Sequence, residues 1–249
     1  MYQMKYLILF FITAFTFLLA DIPELSAETI LDSMTAIMKT ENLSGTMEQE
    51  IISSSGRERT FEYNYYSANN GEDVLLRYTL PKKVRHNAFL IKNGGDDIWV
   101  YFPRTRRVRK LANHAKNQKV QGSDFSYNDF SGSGDWNLDY TAKKVFSGER
   151  DNYLLVLFPK NQKEDLYEKL QIYVDKLSFF PHRIEYFAKD SHLKTLFLED
   201  IKTISRIPTA MTMRMVNHLE KSNTTMRILE MDYNIEFEAD FFTERNLKK

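Results

Sequence analysis

Short apolar segments separated by brief turn sequences run from about residue 74 to the C-terminus. Examples are "VLLRYTL" at 74–80, "IWVYF" at 98–102 and "LQIYVD" at 170–175, and turns such as "KNGGDD" and "KSNTT" lie between such segments. This pattern is typical of strands joined by tight turns. Parallel strands would need crossover helices, and the connections leave little room for them. The sequence therefore predicts an antiparallel meander.

The number of strand patterns predicts the shape of the sheet. We count roughly ten strands, which is near the size at which an open sheet has to curl. Residues 28–39 carry apolar side chains at helical spacing, with acidic residues early and Lys39 late, in agreement with the helix dipole. The residues thus predict an α+β fold in which a strongly curved antiparallel sheet has a concave apolar face covered by an N-terminal helix.

The N-terminus has the features of a secretory signal peptide over residues 1–20. Lys5 precedes an uncharged apolar run at 6–20, which is short for a membrane span of about 20 residues. We expect cleavage after Ala20, and an uncleaved anchor is the alternative. Residues 21–249 show no linker, so we expect one domain, exported to the periplasm and monomeric.

Composition excludes several classes of protein. The chain contains no cysteine, so it forms no disulfide and carries no lipid-modified cysteine of the bacterial lipoprotein type. Its 34 basic and 34 acidic residues balance, and we expect no nucleic-acid partner. Aromatic residues make up 14% of the chain, and with 10 methionines they could form either a core or the lining of a cavity.

Residues 120–130, "VQGSDFSYNDF", are rich in groups that could perform chemistry. Ser123 lacks the G-x-S-x-G context of an activated nucleophile, and the S-x-x-D pattern from Ser126 to Asp129 usually caps a short helical turn. The histidines are scattered, and no zinc, calcium or phosphate-binding motif occurs. We therefore expect no catalytic residue, no metal and no cofactor. An enzyme acting on lipids is the weakest alternative.

The basic sequence "RTRRVRK" at 104–110 has two interpretations. If it is a strand, Val108 faces in while Arg107 and Arg109 face out. It could be a charged edge strand that prevents aggregation. Alternatively, Arg107 and Arg109 could contact phosphate head groups or an acidic partner, because arginine binds such groups in a bidentate manner.

The sequence "MTMRM" places three methionines, Met211, Met213 and Met215, on one face of a predicted strand. Core packing under the helix is one explanation. Methionine is also common on surfaces that accept varied apolar ligands, so the same stripe could line a ligand cavity.

Five segments resemble the LolA-like family of outer membrane lipoprotein-sorting proteins. They are "DDIWVYFPRTRRVRKL" (96–111), "QGSDFSYNDF" (121–130), "YEKLQIYVDKLSFFPHRIEYF" (167–187), "HLKTLFLED" (192–200) and "FFTERNLKK" (241–249). The resemblance covers about residues 70–249, leaving 21–69 for the N-terminal helix and first strands. One departure is Phe180, where the family pattern suggests a smaller or aliphatic residue.

This resemblance implies an open half-barrel wrapped around covering helices that encloses an apolar cavity. It implies a periplasmic carrier for lipid or lipoprotein acyl chains rather than an enzyme, with an inner-membrane RND-type exporter or an outer-membrane acceptor as partner. A sensor or adaptor of the same fold, which reports a bound lipid or peptide to a protein partner, is the alternative. We expect ligand contacts from Trp99, Tyr101, Phe125, Tyr127, Phe130, Met211, Met213 and Met215.

The 120–130 loop is accordingly expected beside the mouth of the barrel. Phe125, Tyr127 and Phe130 would pack on the cavity or gate it. A pairing of Asp124 with Arg107 or Arg109 would tie the loop to the basic strand.

Overall fold

A computed structural model describes residues 25–130, 136–145, 151–160, 166–233 and 235–249, so the signal-peptide prediction for 1–20 lies outside the described residues. The predicted helix is confirmed as α1 (Ala27–Met38), where the Ser26 hydroxyl accepts a hydrogen bond from the amide of Thr29 at 3.1 Å. Its apolar stripe is buried. No helix in the described ranges is long and apolar enough to cross a membrane.

One antiparallel sheet contains all the strands of the described residues. These thirteen strands are β1 (Leu43–Ile52), β2 (Glu58–Ala68), β3 (Asp73–Leu80), β4 (Ala88–Lys92), β5 (Asp97–Phe102), β6 (Arg107–Lys110), β7 (Tyr140–Val145), β8 (Asn152–Pro159), β9 (Lys169–Asp175), β10 (Pro181–Ala188), β11 (Ser191–Ile204), β12 (Ile207–Asn217) and β13 (Ser222–Asp232). The expected number, roughly ten, was too low. The first strands, expected within residues 21–69, are β1 and β2, but the sequence did not give their bounds because polar residues such as Glu48, Glu50 and Asn64 break up their apolar pattern.

The sheet consists of two meanders joined at its centre. Its order is β6-β5-β4-β3-β2-β1-β13-β12-β11-β10-β9-β8-β7, and the edge strands β6 and β7 do not pair with each other. At about 4.8 Å per strand a flat sheet of this size would be about 58 Å wide. However, Leu76 of β3 and Ile172 of β9 share one buried cluster with Leu31 of α1. The open sheet therefore curves around the helix, as predicted.

The covering layer is thinner than the resemblance implied. Among the described residues the only α-helix besides α1 is the single turn α2 (Trp136–Asp139), and the other helical segments are three-residue 3-10 turns. We call the sheet face that packs on α1 the inner face, and it carries the main core.

The outer face of β3–β5 is covered by the C-terminal segment 235–249. Phe242 and Leu247 are buried there against Leu90 and Tyr101. The Arg77 guanidinium donates to the backbone oxygen of Asn246 at 2.6 Å. The C-terminal residues that resemble the LolA-like family thus form a second, smaller core on the outside of the sheet.

Candidate functional site

The connection from edge strand β6 to edge strand β7 returns across the inner face of the sheet. We call its residues 119–130 the strap. Arg59 of β2 donates to the carbonyl oxygens of Gln121 and Gly122 at 3.0 and 3.1 Å. Gly122 has φ +71° and lies so near Arg59 that a Cβ would be 3.1 Å from Nη2, which explains a glycine here.

The second attachment of the strap is the carboxylate of Asp124, which has only 1% of its side chain exposed. It accepts hydrogen bonds from Ser222 Oγ at 2.6 Å, Thr224 Oγ1 at 2.9 Å and Asn217 Nδ2 at 3.2 Å, and Lys119 Nζ lies 3.3 Å away. These partners belong to the β12–β13 hairpin and to the strap itself. The carboxylate therefore fixes the strap above the centre of the sheet.

The expected pairing of Asp124 with Arg107 or Arg109 is wrong. Both arginines lie on edge strand β6, whereas Asp124 sits over β12 and β13, beyond β1 in the strand order. Buried and exposed residues alternate on β6 as predicted, but Val108 faces outward into the outer cluster rather than inward, and the exposed Arg107 and Arg109 lie on the other face.

The third attachment is Asp129, which confirms the predicted cap. Its carboxylate accepts from the Ser126 amide at 2.6 Å and from the Ser126 hydroxyl at 2.9 Å, while the Asp129 amide donates back to that hydroxyl at 3.2 Å. Tyr167 OH donates to the same carboxylate at 2.8 Å, and Lys194 Nζ of β11 lies 3.3 Å from it. The successive attachments thus follow the order of the strands, from β2 through β13 and β12 to β11.

Burial isolates this cluster from water. Side-chain exposure is 9% for Lys194 and 5% for Asp129. Burial and, next, the Asp129 carboxylate raise the pKa of Tyr167 far above its usual value, so the phenol stays protonated. Lys194 also donates to Tyr167 OH at 3.0 Å. A buried ion pair with these additional hydrogen bonds holds the strap against β11.

A cavity of about 490 Å³ lies between the strap, the C-terminal end of α1 and the inner face of the sheet. Its volume is within the range of small-molecule sites, about 300–1,000 Å³. Most of the wall is apolar, and methionine is its most frequent residue. The lining methionines are Met38, Met47, Met213, Met226 and Met231.

The two ends of the cavity differ in exposure. Lys39 is exposed, and Asn70, Ile207 and Tyr233 are half-buried at the end formed by the β2–β3 and β11–β12 turns. Phe125, a residue of the strap, has 4% of its surface exposed. The strap therefore closes the end opposite these turns.

Polar side chains form the smaller part of the cavity wall, and they include the carboxylates of Asp129 and Asp139. Burial raises the pKa of Tyr65 to about 12, so its phenol is neutral in the physiological range. Near the exposed end the hydroxyls of Tyr233 and Thr209 form a hydrogen bond at 2.7 Å. Such a wall can orient the polar end of a ligand, but it offers mainly apolar contact.

The structure brings together three of the eight residues expected to contact a ligand. Phe125, Phe130 and Met213 line the cavity. The other five pack elsewhere. Tyr127 lies against Phe89, Met211 and Met215 belong to the inner core, and Trp99 and Tyr101 belong to the outer cluster under the C-terminal segment.

Sequence reasoning missed several lining residues. Met47 and Met226 face the cavity from β1 and β13, which meet at the centre of the sheet. Phe180, the departure from the LolA-like pattern, also lines it. Its unusual size was the sequence signal that could have found it.

A histidine pair lies beside Asn217, at the strap end of β11 and β12. His192 and His218 have ring centroids 4.2 Å apart, and each Nε2 lies 2.9 Å from Thr195 Oγ1. Burial, and then repulsion from His192, lower the pKa of His218, although Glu185 opposes the shift. Among the described residues no group of three or more acidic or histidine side chains could hold a metal ion.

We expect the His218 shift to make the fold sensitive to acid. In the unfolded chain His218 binds a proton at a higher pH than it does in the folded chain. The contribution of His218 to folding stability is therefore present above about pH 6.5, and it is lost as the pH falls toward the lower pKa of the folded state. The measurement is the urea midpoint at about pH 7.5 and pH 5.5. In His218→Gln the acid-induced decrease should be smaller than in wild type. The control His114→Gln makes the same change away from the histidine pair and should behave as wild type, and an unchanged decrease in His218→Gln would contradict the assignment.

The sheet, helix and strap define a class of protein: an open antiparallel sheet curved around one long helix, with an apolar cavity between them. Many solved structures share this fold, and three of them illustrate the similarity. A domain assigned to outer membrane lipoprotein sorting from Vibrio parahaemolyticus is 23% identical, with a TM-score of 0.78 over 90% of this chain and 98% of that chain. A DUF1329 family protein from Desulfovibrio piger is 23% identical, with a TM-score of 0.80 over 89% and 99%. A LolA superfamily protein from Nitrosomonas europaea is 19% identical, with a TM-score of 0.75 over 90% and 100%.

Identities of this size establish the fold alone, and in fold the resemblance to LolA-like proteins is confirmed. Residues 70–249 match a family model described as "Uncharacterized protein", and the match covers well over half of the sequence. The chain belongs to that family. No curated protein matches the sequence.

Proposed function

We propose that the protein is a periplasmic carrier that shields the acyl chain of a lipid or lipoprotein in the cavity and delivers it toward the outer membrane. The supporting observation is the apolar cavity of about 490 Å³ on the inner face of an open sheet. A residue set rich in methionine adapts to an imprecise apolar shape better than β-branched residues would. The fold shared with lipoprotein-sorting and LolA superfamily structures is consistent with this role.

Acyl burial supplies enough affinity for a carrier. Each buried methylene contributes about 0.8 kcal/mol, so ten of them contribute about 8 kcal/mol before the costs of association. That affinity is sufficient without covalent chemistry, and it can be overcome when a membrane or an acceptor competes for the chain. An RND-type exporter as donor and an outer-membrane acceptor as recipient complete the proposal.

The first test is native mass spectrometry of the mature protein, purified without detergent from a Gram-negative periplasm, followed by lipid extraction. A lipid or acylated peptide bound in stoichiometric amount is the expected result. A protein that is empty and also takes up no lipid from vesicles would contradict the carrier proposal. It would favour the sensor or adaptor alternative.

A substitution in the wall tests whether this cavity is the site. In Met213→Asp a carboxylate replaces an apolar lining group. A bound acyl chain would have to displace the water that hydrates this carboxylate. We therefore expect binding of a fluorescent fatty acid to weaken at least about tenfold, or about 1.4 kcal/mol. Thr212→Asp is the matched control, because it adds the same charge one residue away on the outer face of β12. Equal affinity in the two variants, both folded by circular dichroism, would place the ligand elsewhere.

A further inference from the structure

Two neighbouring turns form a basic surface that the cavity does not use. They are residues 81–87 between β3 and β4, and residues 102–110 of the β5–β6 hairpin; together we call them the basic rim. The two segments contain eight Lys and Arg residues and no Asp or Glu. Because β3 to β6 are consecutive antiparallel strands, both turns lie at the same end of the sheet, about 10 Å apart.

The charges of the basic rim are available to a partner. All eight cationic residues are exposed. Within the described residues the side chains of Arg104, Arg106, Arg107 and Arg109 make no ion pair, and only Lys110 is paired, with an acidic residue of β5. Each unpaired guanidinium can bind a phosphate in a bidentate manner.

Exposed apolar side chains accompany these cations. Leu80 and Phe102 are each 40% exposed, at the last residues of β3 and β5, where the two turns begin. Cations next to an exposed aromatic and an exposed aliphatic side chain match a bilayer interface, where phosphate groups lie directly above the acyl region. An edge strand that was charged only to prevent aggregation would not need the lysines of the neighbouring turn.

The basic rim also lies at a defined end of the cavity. Antiparallel pairing from β1 to β3 and from β1 to β13 places the β3–β4 turn at the same end of the sheet as the β12–β13 turn. Asp124 fixes the strap to residues beside that β12–β13 turn. The surface of any partner that binds the basic rim would therefore face the strap.

We propose that the basic rim docks the protein on an anionic phospholipid bilayer, with the strap end of the cavity toward the membrane. A bilayer fits better than an acidic protein because the exposed cations lie on two turns at one end of the sheet, with exposed apolar side chains where those turns begin. The docking surface is separate from the cavity. The docking proposal can therefore be right or wrong independently of the carrier proposal.

The test is flotation of the full mature protein with vesicles of phosphatidylcholine alone or with about 30% phosphatidylglycerol. We expect binding only to the anionic vesicles, and weaker binding in high salt because surface charges are screened. The variant Arg104→Gln/Arg106→Gln/Arg107→Gln should bind about 100-fold more weakly, since each cation near the surface contributes about 1 kcal/mol. The matched control Lys202→Gln/Arg206→Gln/Lys248→Gln removes three exposed cations elsewhere and should bind as wild type.

Three outcomes would overturn the proposal. They are equal binding to neutral and anionic vesicles, equal losses in the two triple variants, and no vesicle binding at low salt. If the protein does not bind vesicles but binds an acidic protein through the same arginines, the basic rim is a protein-docking surface instead. Loss of lipid from the cavity in Met213→Asp leaves all of these readouts unchanged, so the two proposals are tested separately.

Discussion

Replacing Asp124 by asparagine should lower the free energy of unfolding by about 3 kcal/mol or more, measured as a shift in the urea midpoint. The carboxylate has 1% of its side chain exposed and accepts from four side chains. An amide of the same shape can keep its oxygen at the Oδ1 position for Asn217 and Lys119, but its NH2 then replaces Oδ2, which accepts from Thr224 Oγ1, and the negative charge that pairs with Lys119 is lost. Hydrogen bonds to charged groups contribute about 1.5–3 kcal/mol each, so the loss of even two is large on the scale of a single domain.

The control for this substitution is Asp200→Asn, which makes the same chemical change at a side chain that is 55% exposed. Its ion pair with Lys202 is a surface pair, and the stability should change by less than about 0.5 kcal/mol. Similar midpoints for the two variants would show that the strap is not held by Asp124. Preferential proteolysis within residues 119–130 of Asp124→Asn would locate the loosening in the strap.

Local patterns predicted those parts of the fold that depend on near neighbours in the chain. The helix at 28–39, most of the strands and the Ser126–Asp129 cap each follow from spacing or from contacts within a few residues. The partners of Asp124 could not be predicted in this way, because Asn217 and Thr224 are about a hundred residues further along the chain. No local pattern encodes that the connection from β6 crosses the sheet to meet them.

The sequence also could not predict which face of each strand points to the inner core. A strand normally shows its buried face by alternation, but β5 has apolar residues on both faces. Ile98 and Val100 face the inner core, and Trp99 and Tyr101 face the outer cluster. The ambiguity arises because the C-terminal segment buries the outer face too. The two aromatics were therefore reasonable candidates for the cavity, yet they lie outside it.

The methionine stripe shows that prediction from the sequence is also limited among residues on one face of a strand. Met211, Met213 and Met215 share the inner face of β12, but only Met213 lines the cavity. Which part of a face is packed and which is hollow depends on where α1 and the strap cover the sheet. Those are tertiary contacts, so the sequence could predict the stripe but not the position of the cavity along it.

The ion pair of Lys194 and Asp129 should show strongly unequal effects when either partner is removed. Asp129→Asn leaves a buried ammonium that still donates to Tyr167 OH but has lost its counter-charge, and we expect a loss of about 3–5 kcal/mol. Lys194→Met, of similar volume, leaves the carboxylate with hydrogen bonds from Ser126 N, Ser126 Oγ and Tyr167 OH. Because those donors remain, we expect a smaller loss, about 2 kcal/mol.

The double variant Lys194→Met/Asp129→Asn completes the cycle. It contains neither charge, and asparagine can still cap the turn through Ser126, so its loss should be smaller than the sum of the single losses by about 1–3 kcal/mol. The measurement is the urea unfolding free energy of the four proteins at one pH. Additive losses would mean that the two charges do not interact, and Asp129 would then attach the strap at this end through its hydrogen bond from Tyr167 OH rather than through the ion pair. A coupling of the expected size would instead show that β11 and the strap are joined by this pair, so that whatever opens the strap end of the cavity must first separate two buried charges.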